Sequence, residues 1–389
     1  MLAAVVPLAV LPFATVHPQA RGLIGGLALV LGAAALVRGL SRRHVQAGAG
    51  LAAGLLVAGA VLGLLPLVLP LSPEQVFAPE LGEPVAASLA LSGVESRPLA
   101  LDPHRGLMEW GLSLSWVIYA LGAALVVRNS RRGRRVLRVA LGAGVLVVGL
   151  ALLHRLAGAE TIYGSGLPSF SRDPFLGPFI NPNHGGIFCA ALAPLALAEL
   201  SRERGPWTWF GGISLGLLAV GVVLSGSRGA VLACLAALAP YALVEGGRPA
   251  RVGLAALAGL GVLGLAVVGP VEALRALSEV VAPSSLMEGQ DVFTGRGPMY
   301  EDALRLARAS PWLGVGPHGF DDGFEVLKSS PDFTYTAHAH QELLQLLAEH
   351  GLPITLIWLT GLALVLVRGL RTATGLDRDE RRRQLMAWS

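Results

Sequence analysis

The sequence contains little charge and almost no cysteine. Only 14% of its 389 residues are charged, whereas 53% are hydrophobic, and the mean hydropathy is +0.61. A soluble chain of this length would have to bury too much apolar surface, so the composition excludes an ordinary soluble protein and indicates a membrane protein. The two cysteines, Cys189 and Cys234, both fall within apolar runs, which argues against a disulfide framework.

Long apolar runs predict an all-α, polytopic membrane protein with about ten transmembrane helices. No basic segment precedes the first run, which we interpret as a retained span and not a cleavable signal. The predicted spans are 2–16, 22–37, 48–70, 109–127, 136–153, 174–199, 207–224, 228–245, 252–269 and 352–367.

The same pattern predicts three regions. Residues 1–173 would contain the N-terminal transmembrane helices, and residues 174–370 the functional region, with a large outer loop at 270–351 before the last helix. Residues 371–389 would form a cytoplasmic tail. Within the large loop, Gly297 in a capping position, Pro298 at the first helical position and the stop at Ser310-Pro311 predict a helix from 298 to about 309.

Arginines cluster in alternate connecting segments. With the N-terminus inside, the positive-inside rule places these clusters in the cytoplasm. The formal net charge of +4 therefore reflects topology, and we predict no nucleic-acid partner. The clustered residues are Arg38, Arg42 and Arg43; Arg128, Arg131, Arg132, Arg134, Arg135 and Arg138; Arg202 and Arg204; Arg248 and Arg251; and the arginines from Arg368 onward.

The predicted spans carry no Asp, Glu, Lys or Arg away from their ends. An ion-coupled transporter usually needs such a charge near the middle of the bilayer, so this absence argues against transport. The notable polar groups instead lie at the outer ends of spans. This distribution favours an enzyme that works at the outer surface of the membrane.

Two arginines lie where anion-binding sites are expected. Arg228 follows Ser225-Gly226-Ser227 at the start of a predicted span, and Arg296 lies between two glycines ahead of the loop helix. Free N–H groups at a helix start, together with a guanidinium, bind phosphate well. The alternatives are an arginine that extends to lipid headgroups at 228 and an ordinary exposed loop arginine at 296.

Two histidines precede the last span. His340 is a candidate general base, because imidazole accepts a proton near neutral pH, and we expect a helix from 340 to 350 that bends at Gly351 and Pro353. His338 would share a face with His340 only in an extended segment. The spacing matches no standard zinc pattern, so we predict no metal and no other cofactor. A structural role at the interface is the alternative for both.

The segment from Asn181 to Gly186 opens the sixth span. Asn181, Asn183 and His184 could contact a pyrophosphate or a sugar. Alternatively, the amides cap the helix and the glycines allow close packing.

Several segments together resemble the O-antigen ligase and polysaccharide polymerase superfamily, which includes bacterial O-oligosaccharyltransferases. The similarity covers roughly residues 174–370 and rests on the order of the motifs. They are Phe179-Ile180-Asn181-Pro182-Asn183-His184, Leu224-Ser225-Gly226-Ser227-Arg228-Gly229-Ala230, Gly295-Arg296, Gly314-Val315-Gly316, and His338-Ala339-His340-Gln341-Glu342-Leu343-Leu344-Gln345 followed by Gly351.

The resemblance implies a metal-independent glycosyltransferase of the GT-C-like type in the bacterial inner membrane, with its active site facing the periplasm. Its donor would be an undecaprenyl-diphosphate-linked glycan and its acceptor lipid A-core or another glycan, with polysaccharide-assembly proteins as further partners. By matching position, Arg228 and Arg296 would bind the diphosphate and His340 would activate the acceptor hydroxyl. Direct displacement would invert the anomeric centre.

Two positions depart from the family pattern. Gln341 stands where Asn usually follows the key histidine, and Tyr300 where Trp is common. Both leave acceptor specificity open. The ligase interpretation competes with a polymerase that uses the same donor, and from other classes with a polysaccharide or lipid transporter or a non-catalytic assembly subunit.

Overall fold

The computed structural model is mostly helical. The residues it describes are 5–10, 18–40, 47–92, 98–126, 130–164, 176–200, 205–245, 255, 259, 297–329, 336, 338–339 and 341–375. Within these residues there are α-helices, a short 3₁₀ turn at Ile162–Gly164 and a single isolated β-bridge between Leu176 and Phe179, but no β-strand. The predicted all-α fold is therefore confirmed for the described part of the chain.

We number the described helices in chain order. They are α1 (Val5–Val10), α2 (Pro18–Leu40), α3 (Ala47–Leu62), α4 (Leu65–Val68), α5 (Pro73–Val76), α6 (Pro79–Ser92), α7 (Pro103–Val126), α8 (Ser130–Leu156), α9 (Pro182–Leu200), α10 (Pro206–Leu224), α11 (Arg228–Glu245), α12 (Gly297–Ala309), α13 (Phe320–Leu327) and α14 (Glu342–Gly375).

Three of the described helices contain segments long and apolar enough to cross a membrane, namely Gly133–Leu156, Pro206–Leu224 and Glu342–Val365. They coincide with the predicted spans 136–153, 207–224 and 352–367. Shorter apolar helical segments lie at Arg21–Val37, Ala53–Val68 and Gly229–Leu238. The count of ten spans stays a prediction, and the predicted span 252–269 lies almost entirely outside the described residues.

The boundaries of two predicted spans differ from the structure. The span predicted from residue 174 begins as a helix only at Pro182, because Gly177 has a φ of +58° and a tight turn joins Leu176 to Phe179. The apolar run at 48–70 is also not one helix. It divides into α3 and α4 at a turn ahead of Pro66.

The chain divides into two compact units that are interleaved along the sequence. The first contains Met1–Ala35, Gly122–Ala282 and Ala373–Ser389, and the second contains Leu36–Leu121 and Pro283–Thr372. We describe each unit by itself.

The core of the first unit is formed by α8, α9, α10 and α11. Its fully buried side chains are small or aliphatic, among them Leu141, Val148, Cys189, Leu197 and Leu218. A Cβ placed on Gly221 would lie 2.7 Å from the Cys189 sulfur, so α9 and α10 approach closely at a residue without a side chain. Helices that lie in lipid often associate through small residues in this way.

A buried charge pair joins three helices of the first unit. Arg138 of α8 lies 3.2 Å from the Glu199 carboxylate of α9, and its Cζ lies 3.7 Å from the ring centroid of Trp207 of α10. The Glu199 side chain is only 3% exposed. A buried charge without a partner is costly, so Glu199 needs Arg138. The ion pair and the contact with the aromatic ring therefore join these three helices.

The core of the second unit joins segments that are far apart in sequence. Leu81 of α6, Leu306 of α12 and Phe320 and Phe324 of α13 are all buried in one apolar cluster. The backbone N–H of Ala78 donates to the Ala309 carbonyl at 2.8 Å. The described parts of residues 71–108, which lie between the predicted spans 48–70 and 109–127, and of the large loop predicted at 270–351 therefore pack together.

Buried polar contacts hold α13 to α12. The Asp302 carboxylate accepts the N–H and the hydroxyl of Ser329 at 2.9 and 3.0 Å. Arg305 pairs with Asp302 and donates to the Leu327 carbonyl at 3.0 Å. These contacts bring the chain that leaves α13 back onto α12.

The predicted helix ahead of the Ser310-Pro311 stop and the predicted bend at Gly351 are both confirmed, although the helix begins one residue before the predicted start at Pro298. The helix α12 spans Gly297–Ala309. Helix α14 is interrupted at Gly351, whose φ of +71° is unfavourable for any residue with a side chain. The interruption separates a short helix at 342–350 from the membrane-crossing part that follows.

Candidate functional site

In the first unit, two of the predicted site segments lie against each other. Asn181 precedes α9, and its side-chain Oδ1 accepts the N–H of Asn183 at 2.9 Å. One turn further, Gly186 packs against the Ser225 side chain so closely that a Cβ there would overlap the hydroxyl. The start of α9 and the turn before α11 therefore share one end of the first unit.

This packing gives both interpretations of the Asn181–Gly186 segment a structural basis. The buried glycines serve helix packing, whereas Asn183 and His184 are exposed on the first turn of α9. Asn181, which is partly exposed, caps the helix start through its side chain and its carbonyl. Packing is thus the role of Gly186, and the polar groups beside it remain open to a ligand.

Arg228 is the first residue of α11, as predicted. Ser227 caps the helix, because its hydroxyl accepts the N–H of Ala230 at 3.3 Å. The Ser225 hydroxyl accepts the N–H of Ser227 at 3.2 Å and donates to the Val222 carbonyl at 2.6 Å. These serines order the turn, and the helix dipole there favours an anion. The arginine side chain lies outside the described part.

In the second unit, Arg296 lies outside the described residues and immediately precedes α12. Tyr300 lies in the first turn of this helix and is partly exposed. Tyr300 thus lies near the start of a helix whose other face, including Ala303 and Leu306, is buried in the core.

The loop between α12 and α13 winds around the end of the short helix at 342–350. The N–H of Val315 donates to the Ala348 carbonyl at 2.9 Å, and the N–H of Gly316 to the Glu349 carbonyl at 3.0 Å. These carbonyls lack helical partners because the helix is interrupted at Gly351. The loop satisfies them, and this places His318 beside the helix.

His318 has a left-handed backbone, with a φ of +60°, and its N–H donates to the Glu349 carboxylate. Its ring stacks on His338, with centroids 6.3 Å apart and planes 9° apart. Burial lowers the pKa of His318, and the nearby Arg105 guanidinium lowers it further. The ring is therefore neutral at neutral pH, which suits close stacking against a second imidazole.

Gln341 has a structural task. Its side-chain Oε1 accepts the N–H of Leu344 at 2.5 Å, so it caps the helix that begins at Glu342. The sequence predicted that this helix begins at His340, but the cap places the first helical residue two positions later. Asn is a preferred capping residue, and here the longer Gln fills the position where the resembling family carries Asn.

Arg105 and Asp321 form a pair that the sequence did not single out. The Arg105 guanidinium donates to the Asp321 carboxylate at 3.0 Å, and Asp321 is buried at the start of α13. His318 lies close enough to both for their charges to affect its pKa. The two residues are 216 positions apart in the sequence. Local spacing along the chain therefore could not predict their pairing.

The structure groups the predicted site residues in two sets. Asn181, Asn183, His184 and the start of α11 belong to the first unit, whereas Tyr300, His338 and Gln341 belong to the second. His340 lies outside the described residues, between Ala339 and Gln341. Among the described residues, no group of three His, Cys, Asp or Glu side chains is arranged to hold a metal ion.

Within the described residues, three apolar helical segments long enough to cross a bilayer point to a helical membrane protein. Residues 213–359 match a family model described as O-antigen ligase, which confirms the predicted resemblance over this region. The match includes Arg228, Arg296 and His340 and begins after the Asn181–Gly186 segment. No curated protein and no solved structure matches the chain.

Proposed function

We propose that this protein is an inverting, metal-independent membrane glycosyltransferase of the O-antigen ligase type. It transfers a glycan from undecaprenyl diphosphate to an acceptor hydroxyl, such as that of lipid A-core, at the periplasmic face of the inner membrane. The observation that carries the proposal is the O-antigen ligase match over 213–359, because this stretch contains all three residues to which the chemistry is assigned.

In the proposed reaction, the acceptor hydroxyl attacks the anomeric carbon as His340 removes its proton. A carbon–oxygen bond forms on one face, and the bond to the diphosphate oxygen breaks on the other, which inverts the centre. Negative charge develops on the leaving lipid diphosphate. Arg228 and Arg296 stabilise this charge, and they can do so without a metal ion.

The helix boundaries support these assignments. Arg228 is the first residue of α11, Arg296 directly precedes α12, and His340 lies two positions before α14. The N-terminus of a helix carries unpaired N–H groups and a positive dipole, both of which favour a diphosphate. Arg228 thus lies at a helix start, where a charged lipid phosphate is readily bound, and Arg296 directly precedes another helix in the sequence.

A polymerase is the second candidate. It would use the same donor and the same residues but add the growing glycan to the next lipid-linked repeat unit. The match over 213–359 supports both candidates, and the dependence of product on an acceptor distinguishes them.

The test is transfer by purified protein in nanodiscs, with undecaprenyl-diphosphate glycan supplied with and without lipid A-core. We expect acceptor-dependent product from the wild type. His340→Ala should lower turnover by about 10²–10⁴-fold, as expected for loss of a general base. Arg228→Ala and Arg296→Ala should each lower it by about 10²–10³-fold through lost charge stabilisation.

Arg308→Ala is the matched control, because Arg308 is an exposed arginine in the last turn of α12 and should turn over like the wild type. Longer lipid-linked chains made without an acceptor would indicate the polymerase. If folded His340→Ala and Arg228→Ala both transfer at the wild-type rate, the site is wrong and a transporter or an assembly subunit becomes the better explanation.

A further inference from the structure

The Gln345 side chain uses both ends of its amide. Its Oε1 accepts the backbone N–H of Ala339 at 2.7 Å, and its Nε2 donates to the Glu349 Oε1 at 2.6 Å. The Glu349 carboxylate also accepts the backbone N–H of His318. One line of hydrogen bonds thus joins the segment before α14, the short helix itself and the loop between α12 and α13.

The first bond of this line holds the backbone between the two histidines. Ala339 is fully buried in the core of the second unit, whereas its neighbour His338 is exposed. A backbone bond at Ala339 restrains the peptide groups on both sides of it. The orientation of the peptide group that joins His338 to Ala339 therefore depends on whether Gln345 holds that N–H.

The line requires an amide at 345 next to an acceptor at 349. A carboxylate at 345 could accept from Ala339 but, when ionised, has no proton to donate to Glu349, so the two carboxyl groups would either repel each other or have to share one proton. An aliphatic side chain would leave the Ala339 N–H without this partner. The donor and acceptor groups of residue 345 must therefore match those of residue 349.

We propose that Gln345 and Glu349 are positioning residues that hold the His338–His340 segment in the orientation needed for transfer. This inference rests on the proposed function, since it assigns the proton-accepting role to His340. Neither residue contacts the reacting atoms in this scheme. They act through the backbone at Ala339 and through His318, which stacks on His338.

The test is a swap. Gln345→Glu places two carboxylates in contact, and Glu349→Gln removes one of two carboxylate oxygens. In the double variant Q345E/E349Q the order is reversed: the new carboxylate at 345 accepts from both the Ala339 N–H and the amide at 349, whose oxygen accepts from His318.

We expect each single variant to lower kcat by about 10- to 100-fold, as for a small displacement of a catalytic group. The KM for the lipid-linked donor should stay near the wild-type value, and the double variant should recover most of kcat.

Hydrogen–deuterium exchange gives a readout that is independent of activity. The amide of Ala339 should exchange faster in Gln345→Glu than in the wild type, and the double variant should restore protection. Glu342→Gln is the matched control, because it makes the same chemical change as Glu349→Gln at an exposed position of the same helix. It should leave both kcat and exchange unchanged.

Wild-type kcat and wild-type exchange in both single variants would overturn the inference. So would a double variant that recovers neither, or a loss of kcat that only follows the loss of folded protein. Assay of His340→Ala in parallel separates the two proposals. If that variant is active, the proposed function fails, and if it is inactive while the single variants keep wild-type kcat, the positioning role alone fails.

Discussion

The two compact units are stabilised by different kinds of contact. In the first, α9 and α10 approach through Gly221 and Cys189, and one buried ion pair joins Arg138 to Glu199. In the second, an apolar cluster is combined with a line of hydrogen bonds from Ala339 through Gln345 to Glu349. Close packing of small residues positions helices, whereas the precise placement of a loop requires directional bonds. In the second unit, this line of bonds joins the segment before α14 to the loop between α12 and α13.

The largest expected effect on stability is at the ion pair of the first unit. Glu199→Leu leaves Arg138 buried without its carboxylate, and we expect a loss of about 3–5 kcal/mol in the free energy of unfolding. Thermal unfolding in detergent measures this loss. The double variant Arg138→Leu/Glu199→Leu removes both charges and should recover most of it. Equal destabilisation of the single and double variants would show that the pair itself contributes little.

A smaller effect is expected at the bend of the second unit. Gly351→Ala places a side chain on a left-handed residue, which costs about 1–2 kcal/mol, and the new Cβ would lie 2.6 Å from the Trp312 carbonyl carbon. We expect a lower unfolding temperature together with lower transfer activity. Gly142→Ala in α8 is the control, because nothing lies within 4 Å of the position of its Cβ. Similar behaviour of the two variants would mean that the bend does not need glycine.

The smallest effect concerns pH and His318. Its pKa is lowered from the ordinary value of 6.5, so the unfolded chain takes up a proton at a higher pH than the folded chain does. The contribution of His318 to stability is therefore complete above about pH 6.5 and decreases as the pH falls toward the folded-state pKa. Arg105, Glu109, Asp321 and His338 are the charged or titratable groups that act on it.

His318→Asn tests this contribution, because Asn tolerates a left-handed backbone and does not titrate. Between about pH 7.5 and about pH 5.5, the wild type should lose more thermal stability than the variant. Identical pH profiles would show that the His318 ring takes no part in acid destabilisation.

Features that depend on neighbouring residues were predictable from the sequence. Pro298 and the Ser310-Pro311 stop predicted α12, and Gly351 with Pro353 predicted the bend of α14. The short helix was predicted to begin at His340, two residues too early, because Gln341 caps the helix and Gln is not among the residues usually preferred at that position. Local chemistry determines such features.

Features that join distant parts of the chain were not predictable. The Arg105–Asp321 pair, the packing of α6 on α12 and the hydrogen bond from His318 to Glu349 all cross long stretches of sequence. For Gln345 and Glu349, the four-residue spacing on a helix was visible and predicts contact between the two side chains. That Gln345 also holds Ala339 was not, because the partner lies before the helix starts.

By itself, the sequence determined that this is a helical membrane protein, because long apolar runs with so little charge are stable only in lipid. It also determined which chemical groups are present at the helix starts, including Arg228, Arg296 and His340. Only the tertiary structure decided that α6 and α12, which are far apart in the sequence, share one apolar core, and that Gln345 accepts the N–H of Ala339. Such contacts depend on how side chains from distant segments pack and share hydrogen bonds, and no local pattern of residues specifies that arrangement.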